Sequence, residues 1–216
     1  LEGKYLRTPT LAEMLQDAGI PTIIAGSKPV ALLHDRSRRK QTPTEKESIT
    51  LFEGKTLPRS AAEGLAKVND DKPFPTNVVQ PNVGQDSWTT KALTKALWRK
   101  GVPKYTLLWL SEPDKSQHDA GVGAVLDKLQ SLGLARDTIV VFVSDNGCVA
   151  YVPDLCSAEP LSGGKLTYLE GGVRIPFLVR WPARIRPGTT HASPVSTLDV
   201  FPTVAAAAGV AARAPS

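Results

Sequence analysis

The chain has 216 residues, of which 41% are hydrophobic and 22% charged, which fits one globular domain with a core that needs no disulfide or metal to form. Its longest apolar stretches, 139–143 and 204–208, fall far short of the roughly 20 residues a membrane span requires. Twenty-six basic residues against 21 acidic give a net charge of +5, a mild excess that suits an anionic ligand without selecting one.

Arg36, Arg38, Arg39 and Lys40 form one basic group, and Arg174, Arg180, Arg184 and Arg186 a second. Neither is interleaved with aromatics or set in a nucleic-acid-binding pattern, so both read as solvated faces and nucleic acid is excluded as a partner. The chain opens Leu1-Glu2-Gly3-Lys4, without a methionine or a charged-then-apolar leader, and reads as a processed or truncated end.

Thr10-Leu11-Ala12-Glu13 is a capping box, and the helix it opens ends at Gly19, a residue suited to a left-handed cap. Thr22-Ile23-Ile24-Ala25 follows as a short buried strand, with Val30-Ala31-Leu32-Leu33 as a possible second. Residues 34–86 are polar, carry Pro43, Pro58, Pro73, Pro75 and Pro81, and read as a long irregular excursion.

Order returns with Trp88, Ala92, Leu93, Ala96 and Leu97 on helical spacing, stopped by Gly101. Tyr105–Leu110 is a buried strand. Val122, Val125, Leu126, Leu129 and Leu132 mark an amphipathic helix that ends at Gly133. The β-branched run Thr138–Val143 is a further strand, a glycine-rich loop follows, and Val173–Trp181 is strand-like apart from Pro176. Ser196-x-x-Asp199 opens a last helix that runs to Gly209. Strands separated by helices imply parallel pairing through right-handed crossovers, hence one α/β sandwich.

In such sheets, functional side chains gather beyond the carboxyl ends of the strands. Two of these ends carry ligand-type residues. Asp114 and His118 follow Tyr105–Leu110 and stand one helical turn apart; Asp145 and Asn146 follow Thr138–Val143. Oxygen and nitrogen donors from two strand ends suit a divalent cation, although Asp-Asn-Gly is equally a turn signal and Asp114 equally a helix cap. Leu161-Ser162-Gly163-Gly164-Lys165 and Glu170-Gly171-Gly172-Val173-Arg174 let backbone approach a ligand closely, and Lys165 can place positive charge against an oxyanion. A phosphate-binding loop is excluded because Glu159 stands where its first glycine belongs and Leu166 where its hydroxyl belongs. His34, in a basic stretch, reads as a surface residue. Cys148 and Cys156 can close a small loop in an oxidising compartment or remain free thiols.

Ser144-Asp145-Asn146-Gly147, Leu161–Lys165, Glu170–Pro176, Val179-Arg180-Trp181-Pro182 and Pro194–Thr203, in that order, resemble the sulfatase family of the alkaline phosphatase superfamily over residues 123–210. Leu6–Gly26, Gln85–Thr90 and Trp109–His118 are similar to type I phosphodiesterases, the nucleotide pyrophosphatase branch. The chain therefore reads as a single domain with a phosphodiesterase-like part, 1–122, and a sulfatase-like part, 123–216. The resemblance implies an alkaline-phosphatase-like α/β/α sandwich with a mostly parallel sheet, lacking its N-terminal nucleophile segment.

It also implies roles for individual residues: Asp145 and Asn146 as calcium ligands, Asp114 and His118 as zinc ligands of the phosphodiesterase type, and Lys165 as the contact to the sulfate ester. Neither Cys148 nor Cys156 stands in the motif that sulfatases convert to their nucleophile, so no nucleophile is assigned. The implied activity is metal-dependent hydrolysis of sulfate esters, incomplete in this chain as it stands. Its rivals are phosphodiester hydrolysis and a non-catalytic metal- or anion-binding remnant. The implied partner is a small anionic ester, without a membrane, and the implied setting is periplasmic or secreted.

Overall fold

The computed structural model describes residues 9–36, 44, 47–76, 83–110, 121–149 and 156–211. The first helix, α1 (Leu11–Asp17), is capped as its sequence requires. The Glu13 amide donates to the Thr10 hydroxyl at 3.2 Å, and the Thr10 amide donates to the Glu13 carboxylate at 2.7 Å. Arg36 pairs with the same carboxylate at 3.0 Å, which ties the helix start to the segment beyond the first strand. At the far end Gly19 takes φ +77°, a left-handed conformation that costs glycine nothing.

Strand β1 (Thr22–Gly26) is buried at all five positions. The segment after it differs from the sequence expectation: Pro29–Leu33 forms a 3-10 turn where a strand was possible. Pro29 supplies a fixed helical φ at the first position of that turn, and the Ala31 amide closes it on the Lys28 carbonyl. The supposed irregular stretch holds a hairpin, β2 (Ile49–Phe52) and β3 (Lys55–Leu57). Glu53 and Gly54 between them both have positive φ, the geometry that joins twisted antiparallel strands through two residues.

Helix α2 (Val83–Lys91) continues through a π turn, Ala92–Ala96, and a 3-10 turn, Leu97–Lys100. Then come β4 (Tyr105–Trp109), α3 (Gly123–Ser131), β5 (Val140–Val143), the single turn α4 (Glu170–Val173), β6 (Phe177–Arg180) and α5 (Val200–Ala207). The Ser196 and Asp199 capping box sits just before α5, on the 3-10 turn Thr197–Asp199.

The main sheet has the order β3-β2-β1-β4. β1 is parallel to both neighbours, with Ile24 opposite Thr50 and Leu107, and only β3 runs antiparallel. Alternation along β1 sends its side chains to opposite faces. Ile23 and Ala25 join Leu51, Leu65, Trp88, Leu93 and Trp98 on the α2 side, while Ile24 joins Ala12 and Ala31 on the α1 side. The result is a mixed α/β/α sandwich built on a mostly parallel sheet.

β5 departs from the parallel expectation. Among the described residues it pairs with β6 alone, antiparallel, with Val141 opposite Val179. Parallel strands need a crossover of a dozen or more residues, usually a helix. The 144–176 connection contains only the single turn α4 as described helix, so the chain returns beside the strand it left.

Candidate functional site

The carboxyl end of β5 leads into Ser144-Asp145-Asn146-Gly147. The Ser144 hydroxyl donates to the Asn146 carbonyl at 2.8 Å, and the Asn146 side-chain amide donates to the Asp145 carboxylate at 2.7 Å. Because the amide nitrogen is spent on Asp145, the amide oxygen on the opposite side of the group remains as a second oxygen donor. Asp145 is exposed and Asn146 half-buried. A carboxylate beside an amide oxygen is a hard donor pair, suited to calcium rather than to a soft metal. Among the described residues no three His, Cys, Asp or Glu side chains gather so as to hold a metal ion.

The glycine-rich segment is folded directly onto this loop. The Gly147 amide donates to the Gly172 carbonyl at 3.1 Å, and the Lys165 amide to the Cys148 carbonyl at 2.7 Å. The Gly171 amide donates to the Ser162 carbonyl at 2.8 Å and the Ser144 amide to the Pro176 carbonyl at 3.2 Å. The diglycines serve close packing: a β-carbon on Gly172 would strike the Thr167 and Gly164 carbonyls, and one on Gly147 would overlap the Gly171 carbonyl oxygen. Lys165 is thereby set within a turn anchored three residues beyond Asp145.

Cys148 and Cys156 are joined in a disulfide, which decides between the two states the sequence left open. The bond closes a loop on the same segment that receives the Lys165 amide, and the Val149 amide points to the Cys156 sulfur at 3.0 Å. Neither sulfur is free as a thiol. The predicted residues Asp145, Asn146 and Lys165 thus lie on two loops held together by backbone hydrogen bonds, whereas Asp114 and His118 lie outside the described residues.

Sequence reasoning missed Thr167. Its hydroxyl donates to the Gly164 carbonyl at 2.7 Å and accepts from the Gly164 amide at 3.1 Å, clamping the turn that carries Lys165. The signal was a threonine two places after the lysine, in a stretch of turn residues. His34 is not a simple surface residue: it is half-buried with its ring 5.1 Å from that of Trp109, at the carboxyl end of β4. Burial lowers its pKa, and burial also pushes the Tyr105 hydroxyl up to about 12. A cavity of about 230 Å³ between α2 and α3, lined by Ser87, Thr90, Lys91, Thr94, Lys95 and Ala124, includes none of the predicted site residues.

Residues 116–210 match the sulfatase family model. Over this part the chain is similar to the sulfatase family. The match begins seven residues ahead of the segment delimited by the motifs. Steryl-sulfatase of Mus musculus is 50% identical over 99 residues, covering 42% of this chain and 16% of that protein. Arylsulfatase A of Homo sapiens is 45% identical over 93 residues, covering 42% of this chain and 18% of that protein. N-acetylgalactosamine-6-O-sulfatase of Bacteroides thetaiotaomicron is 39% identical over 100 residues, with 42% and 19% covered. The matched sulfatase segment therefore spans under one fifth of each of these relatives.

The fold likeness is wider than the sequence match. The crystal structure of Ps i-CgsB superimposes with a TM-score of 0.57 over 94% of this chain and 54% of that one, at 20% identity. At that identity the likeness concerns the fold, which it extends over residues ahead of 116 as well as the sulfatase-matched segment.

Proposed function

We propose that this chain takes part in metal-dependent hydrolysis of sulfate esters, with Lys165 against the sulfate oxygens and Asp145 and Asn146 as ligands of a hard divalent cation, calcium by its donor chemistry. The observation that carries this reading is the 2.7 Å hydrogen bond from the Lys165 amide to the Cys148 carbonyl. It joins the cationic turn to the loop bearing both oxygen donors. Asp114 and His118 would be the zinc pair in a phosphodiesterase reading; the oxygen pair favours calcium and the sulfate ester.

The overall reaction adds water to the ester: the S–O bond to the alcohol breaks, the alcohol leaves with a proton, and sulfate is released. A bound cation would supply Lewis-acid charge neutralisation at the ester oxygens. Lys165 would hold the sulfate and offset the charge that develops on its oxygens, from a position fixed before the reaction begins. Attack on sulfur does not come from the two cysteines, whose sulfurs are bonded to each other. That same disulfide supports an oxidising compartment, periplasmic or extracellular. Among the described residues no helix is long and apolar enough to cross a membrane.

Calorimetric titration with calcium and, separately, with inorganic sulfate tests the assignment. Asp145→Ala should abolish calcium binding and leave the protein folded. Lys165→Ala should weaken sulfate by about tenfold to a hundredfold, the size expected for a charge-assisted contact, with calcium affinity nearly intact. Wild-type protein that binds neither ligand would refute the reading.

A further inference from the structure

The turn that carries Lys165 holds a strained residue. The Thr167 amide donates to the Gly164 carbonyl at 3.0 Å, so Lys165 and Leu166 occupy its two central positions. Leu166 has φ +73°, in the place where such turns favour glycine or asparagine. Its side chain is 85% exposed, so burial does not offset the strain. A conformation of this kind persists only where the surrounding contacts over-determine it. Thr167 supplies them. Its hydroxyl donates to the Gly164 carbonyl at 2.7 Å and accepts from the Gly164 amide at 3.1 Å, closing the turn a second time through the side chain. Glycines on both sides make room for it: a β-carbon would fall 2.5 Å from that hydroxyl oxygen on Gly163 and 2.9 Å from it on Gly172. Gly164 is buried, so removing the hydroxyl would leave its amide unpaired, and the turn would have to open to solvate it.

We propose that Thr167 is a positioning residue for the sulfate contact: its hydroxyl holds the strained 164–167 turn shut, so that Lys165 is aimed before an anion arrives. Thr167 touches no substrate and acts through the lysine, and the inference rests on the reading of Lys165 as the sulfate contact. The lysine depends on this closure. Among the described residues no carboxylate pairs with its ammonium, while its amide is fixed on the Cys148 carbonyl at 2.7 Å. The backbone of the turn therefore sets where the side chain starts and which way it leaves. A turn already in its bound geometry loses little freedom on binding. The role is coupled to one neighbour. The hydroxyl matters because position 166 is a leucine at positive φ; a glycine there holds the same conformation at no cost and makes the clamp dispensable.

The experiment is a double-mutant cycle read by calorimetry with inorganic sulfate and, separately, with calcium. Thr167→Val, which keeps the shape and removes the hydroxyl, should weaken sulfate about fivefold, the scale of one hydrogen bond. Thr167→Ser should restore the affinity to within about twofold of wild type, because serine makes both contacts to Gly164. In a Leu166→Gly background the same Thr167→Val change should cost less than about twofold, since coupled positions are not additive. Calcium affinity should stay level throughout. Thr167→Ala replaces the valine variant should that one fail to fold. Unchanged sulfate affinity in Thr167→Val, no recovery with serine, or an equal loss in both backgrounds overturns the clamp. A parallel fall in calcium affinity overturns it too, by marking a purely structural role. In each of these cases a sulfate loss in Lys165→Ala keeps the site. No sulfate binding by wild type overturns the site, and the clamp with it.

Discussion

Replacing Gly147 by alanine tests the contact on which the site depends. Gly147 is not among the glycines with positive φ, so alanine meets no backbone strain of its own, and the cost isolates the approach of the two loops. The added carbon would fall against the Gly171 carbonyl oxygen, 2.7 Å from the Gly172 α-carbon and 2.9 Å from the Gly171 carbonyl carbon. All three are backbone atoms and cannot rotate aside, so one loop must move. Overpacking of this kind costs about 1–3 kcal/mol. Separating the loops also breaks the 3.1 Å hydrogen bond from Gly147 to Gly172, worth about 1 kcal/mol. The sum is about 2–4 kcal/mol by these rules. With a urea slope near ~2 kcal/mol/M, the unfolding midpoint should fall by roughly 1–2 M. Gly123→Ala is the control: nothing lies within 4 Å of its added carbon, and in α3 it should stabilise by up to ~1 kcal/mol. Sulfate affinity should fall in Gly147→Ala, since Lys165 depends on the same junction. A Gly147→Ala midpoint within about 0.25 M of wild type would mean a shift below roughly 0.5 kcal/mol, and the loop contact would be refuted.

Removing the disulfide with Cys148→Ala and Cys156→Ala together should cost about 2.5 kcal/mol from loop closure alone and weaken sulfate binding, because the Lys165 amide is held on Cys148. Reducing agent should reproduce both effects in wild type and neither in the double variant. Burial depresses the folded-state pKa of His34 below its ordinary 6.5, so its contribution to stability is present above pH 6.5 and is lost as pH falls from there toward the folded value. Urea unfolding at pH 7.5 and 5.5 should therefore show a larger acid loss in wild type than in His34→Gln; equal losses would show that the ring titrates freely.

What the sequence determined is what local chemistry dictates. The Thr10 and Glu13 box, the glycine stop at Gly19 and the spacing of Trp88, Ala92 and Leu93 each act within a few residues and stand where they were read, and the β-branched run read over 138–143 forms its strand over Val140–Val143. Asp145, Asn146 and Lys165 were legible as candidates because ligand-type side chains follow a strand end and a diglycine. The hairpin β2–β3 was missed because its signal, four mostly apolar residues before Glu53-Gly54, is short and lies among prolines. Tertiary structure alone decided that β5 turns back onto β6, that Cys148 bonds Cys156, and that Gly147 and the Cys148 carbonyl fasten the glycine-rich lysine segment to the aspartate loop. It alone showed Leu166 strained and exposed. Pairing partners, backbone clearances of a few ångströms and the sign of φ at a leucine depend on segments distant in sequence, and residue type constrains them only once those segments have met.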